Sequence, residues 1–295
     1  MRLLRSTTTR LFSLRRKPFP IPPPGPPLPQ SEAVDEEICP GYDSKKFYPA
    51  NPGDIFANRY QILTKVGGPE GRHLCLAYEP MRKPIWLFQR RFKDGRIPLP
   101  IIKTYIHFLL VDLYCLHTEC KVFHTDLKLE NIMVTSEDPA VLGDFMNSQL
   151  DQPMQHKIDS AGRAVYRCHN DFGPLRKVRN IPKFVDVGLA TRLSYDERGV
   201  YPIPPDRYRA PEVIFGSGWT MTADIWNMGS LVALLQLWDI LQGKELFQQI
   251  YNEQGHYNAK AHLAEMIALL GRPPPELIAR SQSMKWPEPL KWQDG

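Results

Sequence analysis

"VFHTDLKLENIM", Val122 to Met133, sets His124, Asp126, Lys128 and Asn131 in a His-x-Asp-x-Lys-x-x-Asn pattern inside an apolar frame. By itself a His-x-Asp pair has two readings: ligands of a metal-dependent hydrolase, or a capped turn with a satisfied histidine. The stretch on its N-terminal side is clearer. In "PLPIIKTYIHFLLVDLYCLHTEC" the residues Ile102, Tyr105, Ile106, Leu109, Leu113 and Leu116 recur at three- and four-residue steps, which predicts a long helix buried along one side.

Residues on the C-terminal side narrow the choice. "PKFVDVGLATRL", Pro182 to Leu193, is a short apolar strand ending in Asp-x-Gly, with Asp186 at the strand end and Gly188 to let the chain turn away. Ala210-Pro211-Glu212 comes next, then Asp224-Ile225-Trp226 on the segment Ala223 to Leu241, which is apolar nearly all round as a central helix is. "NAKAHLAEMIALLG" predicts a further helix that stops at Gly271, with Pro273 beyond it. A catalytic loop, an Asp-x-Gly, an Ala-Pro-Glu and a buried aspartate on an apolar helix, in that order, resemble the C-lobe of protein kinases. The expectation is an α+β, protein-kinase-like fold, mainly the helical lobe with a reduced β lobe.

The branch can be named more closely. Thr125 stands where most kinases have arginine, and "HTDLKLEN" with "GSGWTMTADIW" and "GDIFANRYQILTKVG" is similar to the SR-protein kinase family, over about Gly53 to Ser283. The resemblance implies ATP as phosphate donor, Mg²⁺ as metal, and serine or threonine of an Arg/Ser-rich protein substrate as acceptor. It implies Asp126 as base or orienter of the attacking hydroxyl and Lys128 as a point charge on the moving phosphoryl group. Asn131 and Asp186 become the hard oxygen ligands of Mg²⁺ and bind the nucleotide with it. Tyr78, Glu79 and Met81 fall on the hinge that contacts adenine. His124 is read as a structural hydrogen-bonding residue, because phosphoryl transfer needs no imidazole.

The pattern also fails in places. A working kinase has a G-x-G-x-x-G loop, a Val-Ala-x-Lys strand and a helix glutamate paired with that lysine. In "LTKVGGPEGRHLCLAYEPM", Leu63 to Met81, only "GGPEGR" separates Val66 from His73. Lys65 precedes the glycines and Lys83 comes after the hinge, so neither takes the lysine's place. Leu63 to Gly67 reads as the start of the first strand, Gly68 to Met81 as the later turn, strand and hinge. The resemblance also pairs Glu212 with an arginine on helices beyond Gly295, so Glu212 is expected without that partner. A kinase-like binding protein that transfers no phosphate is therefore the alternative function.

Domain boundaries track composition. Residues 1–31 carry Arg2, Arg5, Arg10, Arg15, Arg16 and Lys17 with no acidic residue before Glu32, as a basic tail or a transit segment does. "KPFPIPPPGPPLPQ" holds much of the excess among 29 prolines and reads as a polyproline spacer outside any sheet. Residues 32–52 form a linker, 53–81 a remnant N-lobe and hinge, and 82–295 the C-lobe with a surface insertion at about 135–181, to which no chemistry is assigned. Five cysteines without a C-x-x-C pair suggest neither a zinc cage nor a disulfide framework. The net charge of +5 is concentrated near the N-terminus and marks no nucleic-acid face. The apolar run near Leu231 to Leu241 is too short to span a bilayer. A monomer in the cytoplasm or nucleus is expected, with the mitochondrion as the alternative.

Overall fold

The computed structural model describes residues 19–38, 55–56, 60–61, 79–160, 162, 164–167, 171–194, 197–233 and 246–283. In chain order its elements are β1 (Ile55–Phe56), β2 (Tyr60–Gln61), β3 (Met81–Pro84), α1 (Ile85–Phe88), α2 (Leu99–Tyr114), β4 (Ile132–Thr135) and α3 (Pro139–Asp151). Then come β5 (His156–Ile158), β6 (Ala164–Tyr166), β7 (Pro182–Phe184), α4 (Pro211–Ile214), α5 (Met221–Val232), α6 (Ala259–Leu270) and α7 (Pro275–Ser283). They fall into two compact units: Met1–Pro80 with Ser136–Arg179, and Met81–Thr135 with Asn180–Gly295.

In the second unit α2 buries Ile102, Tyr105, Leu109 and Leu113, the stripe that the sequence predicts, while Ile106 and Leu116 stay half-buried. Pro98 and Pro100 open this helix, where a missing N–H costs nothing. With the π-helical turn Cys115–Cys120 that continues it, the helix is long and apolar enough to cross a bilayer by length and composition. Its apolar stripe is nonetheless used inside the unit, against β7. The three-stranded sheet has the order β3-β4-β7, with both pairs antiparallel.

Beyond the sheet, a cluster of Ile203, Ala210, Val213, Trp219 and Ala223 is lined by Phe123, Leu193 and Trp226. Gly216 (φ 64) and Gly218 (φ 76) make the left-handed turn that delivers Trp219 into it, a conformation that side-chain-bearing residues rarely adopt. Thr220 and Asn258 cap α5 and α6 with side-chain oxygens, and α6 stops at Gly271 (φ 85) as predicted. The second half of the expected central helix, 234–241, lies outside the described residues.

The first unit departs from expectation. The insertion forms α3, capped by Asp138 Oδ1 on Ala140 N at 2.9 Å, and the β5–β6 hairpin. The proline-rich segment is no spacer: Pro27 makes a parallel bridge with His156, Leu28 N donates to His156 O at 2.7 Å, and Pro26 O accepts from His156 N at 3.2 Å. Prolines lack donors but keep their carbonyls, and Leu28 supplies the one N–H the edge needs. Leu28 and Val34 then form a small core with Val165. Residues 32–38, expected as linker, hold the short 3₁₀ turn Asp35–Ile38, and Lys157 reaches it through Glu37 Oε2 at 2.8 Å.

Candidate active site

The β4–β7 ladder is what brings the polar residues together. Its register pairs Ile132 with Phe184, and Val185 N donates to Asn131 O at 2.9 Å, extending the pairing one step. Asn131 and Asp186 thus leave the same end of the ladder side by side. Asp186 sits at φ 62 and ψ 67, a left-handed conformation that aspartate tolerates, and its Oδ1 accepts from Gly188 N at 3.3 Å. A Cβ on Gly188 would lie 3.1 Å from that same oxygen, so a larger residue there would have to push the carboxylate aside by a few tenths of an ångström.

The preceding loop is held from the other side. Phe123 and Thr191 exchange backbone bonds of 2.8 and 2.9 Å, and Thr125 Oγ1 donates to Leu189 O at 2.8 Å. Thr125 itself has φ 64, unfavourable for a β-branched residue. The buried carboxylate of Asp224 on α5 holds it there: Oδ1 accepts from Thr125 N at 2.9 Å and Oδ2 accepts from His124 N at 2.8 Å. His117 Nε2, in the π-helical turn, donates to Asp224 Oδ2 at 2.8 Å. His124 Nε2 faces the Val185 carbonyl at 3.0 Å and therefore carries the ring proton, while Nδ1 accepts from Asp126 N at 3.4 Å. His124 is fully buried and its ring is engaged on both nitrogens, as a structural residue is.

Asp126 is the centre of the arrangement. Its Oδ2 accepts from Lys128 Nζ at 2.7 Å and from Asn131 Nδ2 at 3.0 Å, and its backbone O accepts from Asn131 Nδ2 at 2.9 Å. Oδ1 is buried with no hydrogen-bond donor on it. Because both bonds of Asn131 use its amide nitrogen, its side-chain oxygen is left as an acceptor. That oxygen and the exposed Asp186 carboxylate are the hard donors that Mg²⁺ takes alongside phosphate oxygens, so the residues present fit that ion. Among the described residues no cluster of three His, Cys, Asp or Glu forms a protein-only metal cage. At the edge of the site, burial raises the Asp112 carboxyl, opposed by a hydrogen bond from the Phe184 backbone and by the Lys183 charge.

Of the expected hinge residues, only Met81 belongs to the unit that holds this site. Tyr78 lies outside the described residues, as does the whole 62–78 stretch, and Glu79 is exposed in the first unit. Met81 opens strand β3, opposite Thr135 at the far end of β4 from Asn131. Glu212, expected without its arginine, accepts from Thr222 Oγ1 at 2.6 Å. His117 escapes a reading of the sequence, yet a signal exists: it continues the Leu109, Leu113 stripe one turn further, a polar residue on a buried face.

The fold is α+β and protein-kinase-like, and the chain's relatives are serine/threonine protein kinases. A serine/threonine protein kinase of Aspergillus fumigatus is 28% identical over 344 residues, covering 93% of this chain and 81% of that protein. Within the class, the similarity extends to the kinase SRPK of Physarum polycephalum, 28% identical over 74% of this chain and 53% of that one. It extends also to the kinase AFC3 of Arabidopsis thaliana, 31% identical over 73% of this chain and 48% of that one. No family model matches the chain. In the Aspergillus alignment, 93% of 295 residues is about 274, so about 70 of its 344 positions have no counterpart here.

Proposed function

We propose that the chain transfers the γ-phosphate of ATP to serine or threonine hydroxyls of a protein substrate, an Arg/Ser-rich one by its resemblance to the SR-protein kinases. The observation that carries this reading is the division of labour on Asp126. One carboxylate oxygen is saturated by Lys128 and Asn131, which fixes the group's orientation, while the other is buried and has no donor. An orphaned acceptor of this kind suits a substrate hydroxyl whose proton is withdrawn as it attacks. Lys128, a third exposed, reaches Asp126 from the solvent side and carries a charge for the transferred phosphoryl group. Bound Mg²⁺ would neutralise charge on the phosphate oxygens, held by Asn131 and Asp186.

The second reading, a kinase-like binding protein, is favoured by the missing Val-Ala-x-Lys strand and by the unmatched positions in the alignment. One experiment separates them: transfer from labelled ATP with Mg²⁺ to an Arg-Ser peptide by the full chain, by Asp126→Asn and by Asp186→Ala. Phosphate transfer through these residues requires incorporation by the wild type and a loss of about 10²-fold or more in each variant. Equal incorporation by all three overturns it. No incorporation by any of them supports the binding protein.

A further inference from the structure

The proline-rich segment has a burial pattern of period three. Phe19 and Pro22 are half-buried and Gly25 and Leu28 are buried, whereas Pro20, Ile21, Pro23, Pro24, Pro26 and Pro27 are exposed. A polyproline II helix has three residues per turn, so positions 19, 22, 25 and 28 form one edge of such a helix, and that edge lies against the insertion. Contact is closest at Gly25, where a Cβ would sit 2.1 Å from Met154 O and 2.6 Å from Pro153 O. No other residue type fits there. The other two edges, Pro20, Pro23 and Pro26 on one and Ile21, Pro24 and Pro27 on the other, face solvent.

We infer that this exposed double edge is a docking ligand for a partner protein domain whose groove is lined by aromatic side chains and reads polyproline II. Such grooves take two adjacent edges of the helix as successive dipeptides ending in proline and leave the third edge outside. Pro23-Pro24 and Pro26-Pro27 are two such dipeptides, and the residue between them, Gly25, is the one turned inward. The orientation is the useful one. Had the segment been rotated by one residue about its axis, a proline edge would be covered and one of the two slots would be empty. The exposed prolines also leave apolar surface in water, beside Ile21, which is 66% exposed. Docking on the hairpin fixes the segment in its bound conformation beforehand, which lowers the ordering cost of association. Binding of such a domain does not depend on phosphate transfer.

The test is titration of the full chain against two recombinant probes, an SH3 domain selecting Pro-x-x-Pro ligands and a WW domain, read by calorimetry. At least one probe should bind in the range of about 1–100 μM, and Pro24→Ala with Pro27→Ala should weaken it by about tenfold or more. Both substitutions are on exposed side chains, and unchanged circular dichroism of the double variant would show that the fold is kept. Absence of binding by both probes at about 1 mM, or binding indifferent to the double substitution, overturns the proposal.

Discussion

Asp224 holds the backbone of Thr125 across 99 residues of sequence, its Oδ1 accepting the Thr125 N–H at 2.9 Å where the chain turns through φ 64. The same carboxylate takes His124 N and His117 Nε2. Replacing it with alanine would leave three buried donors unpaired and release a strained loop. Asp224→Ala should lower unfolding stability by about 3 kcal/mol or more. Asp224→Asn, which keeps one acceptor oxygen but turns an amide nitrogen towards a donor, should fall between. Urea unfolding of the three proteins is the measurement.

His262 gives the second unit a pH dependence. Its ring is fully buried, Tyr257 Oη donates to Nδ1 at 2.9 Å, and Arg209 stacks 4.6 Å from the Tyr257 ring. Burial, with the Arg209 charge second, lowers the His262 pKa to about 4. Burial likewise pushes the Tyr257 phenol up to about 12, so it stays a donor across the neutral range. A histidine depressed in the folded state is protonated first in the unfolded chain, so stability is full above the unfolded value near 6.5 and is lost as pH falls towards 4. The loss between about pH 7 and pH 5 should be about 2 kcal/mol. His262→Gln should flatten that slope; an unchanged slope would refute the assignment.

Gly199 is packed face-on against Trp219, and a Cβ there would lie 2.0 Å from the indole Cε2. Trp219 cannot retreat without cost, since it is 1% exposed and its Nε1 donates to Tyr201 O at 2.7 Å. Gly199→Ala should therefore destabilise by about 1–3 kcal/mol. A lower urea midpoint at constant m-value would show it.

Lys157 ties the N-terminal segment to the hairpin, donating to Glu37 Oε2 at 2.8 Å and to Glu32 O at 2.5 Å. Its side chain is 6% exposed, so Lys157→Met removes the charge without opening a void and leaves Glu37 Oε2 with the Val34 N–H, at 3.0 Å, but without its cation. The expected loss is about 2 kcal/mol, confined to the attachment of residues 26–38. Faster hydrogen exchange at the Leu28 amide, which bonds His156 O, is the readout.

Much of the second unit is legible in the sequence because local rules govern it. The stripe Ile102, Tyr105, Leu109, Leu113 is set by helical periodicity, Gly271 stops α6 by its left-handed conformation, and His124, Asp126, Lys128, Asn131 and Asp186 carry their spacing in the chain itself. The role of His117 is hidden because its acceptor is 107 residues away. The proline run misleads for a related reason. Composition gives its conformation and says nothing about whether another segment offers it an edge, and only the fold places His156 and Met154 alongside Gly25 to Leu28.

By itself, then, the sequence determined the candidate polar residues and the order in which they come. It determined also the helices that bury one face, since period and caps act within a few residues. The tertiary structure decided which oxygen of Asp126 is held and which is left without a donor, how Asp224 pins Thr125, and which edge of the proline segment faces water. Those are pairings of groups far apart in the chain. Their energies are those of buried hydrogen bonds and close packing, which leave no period in the sequence and exist only once distant segments meet.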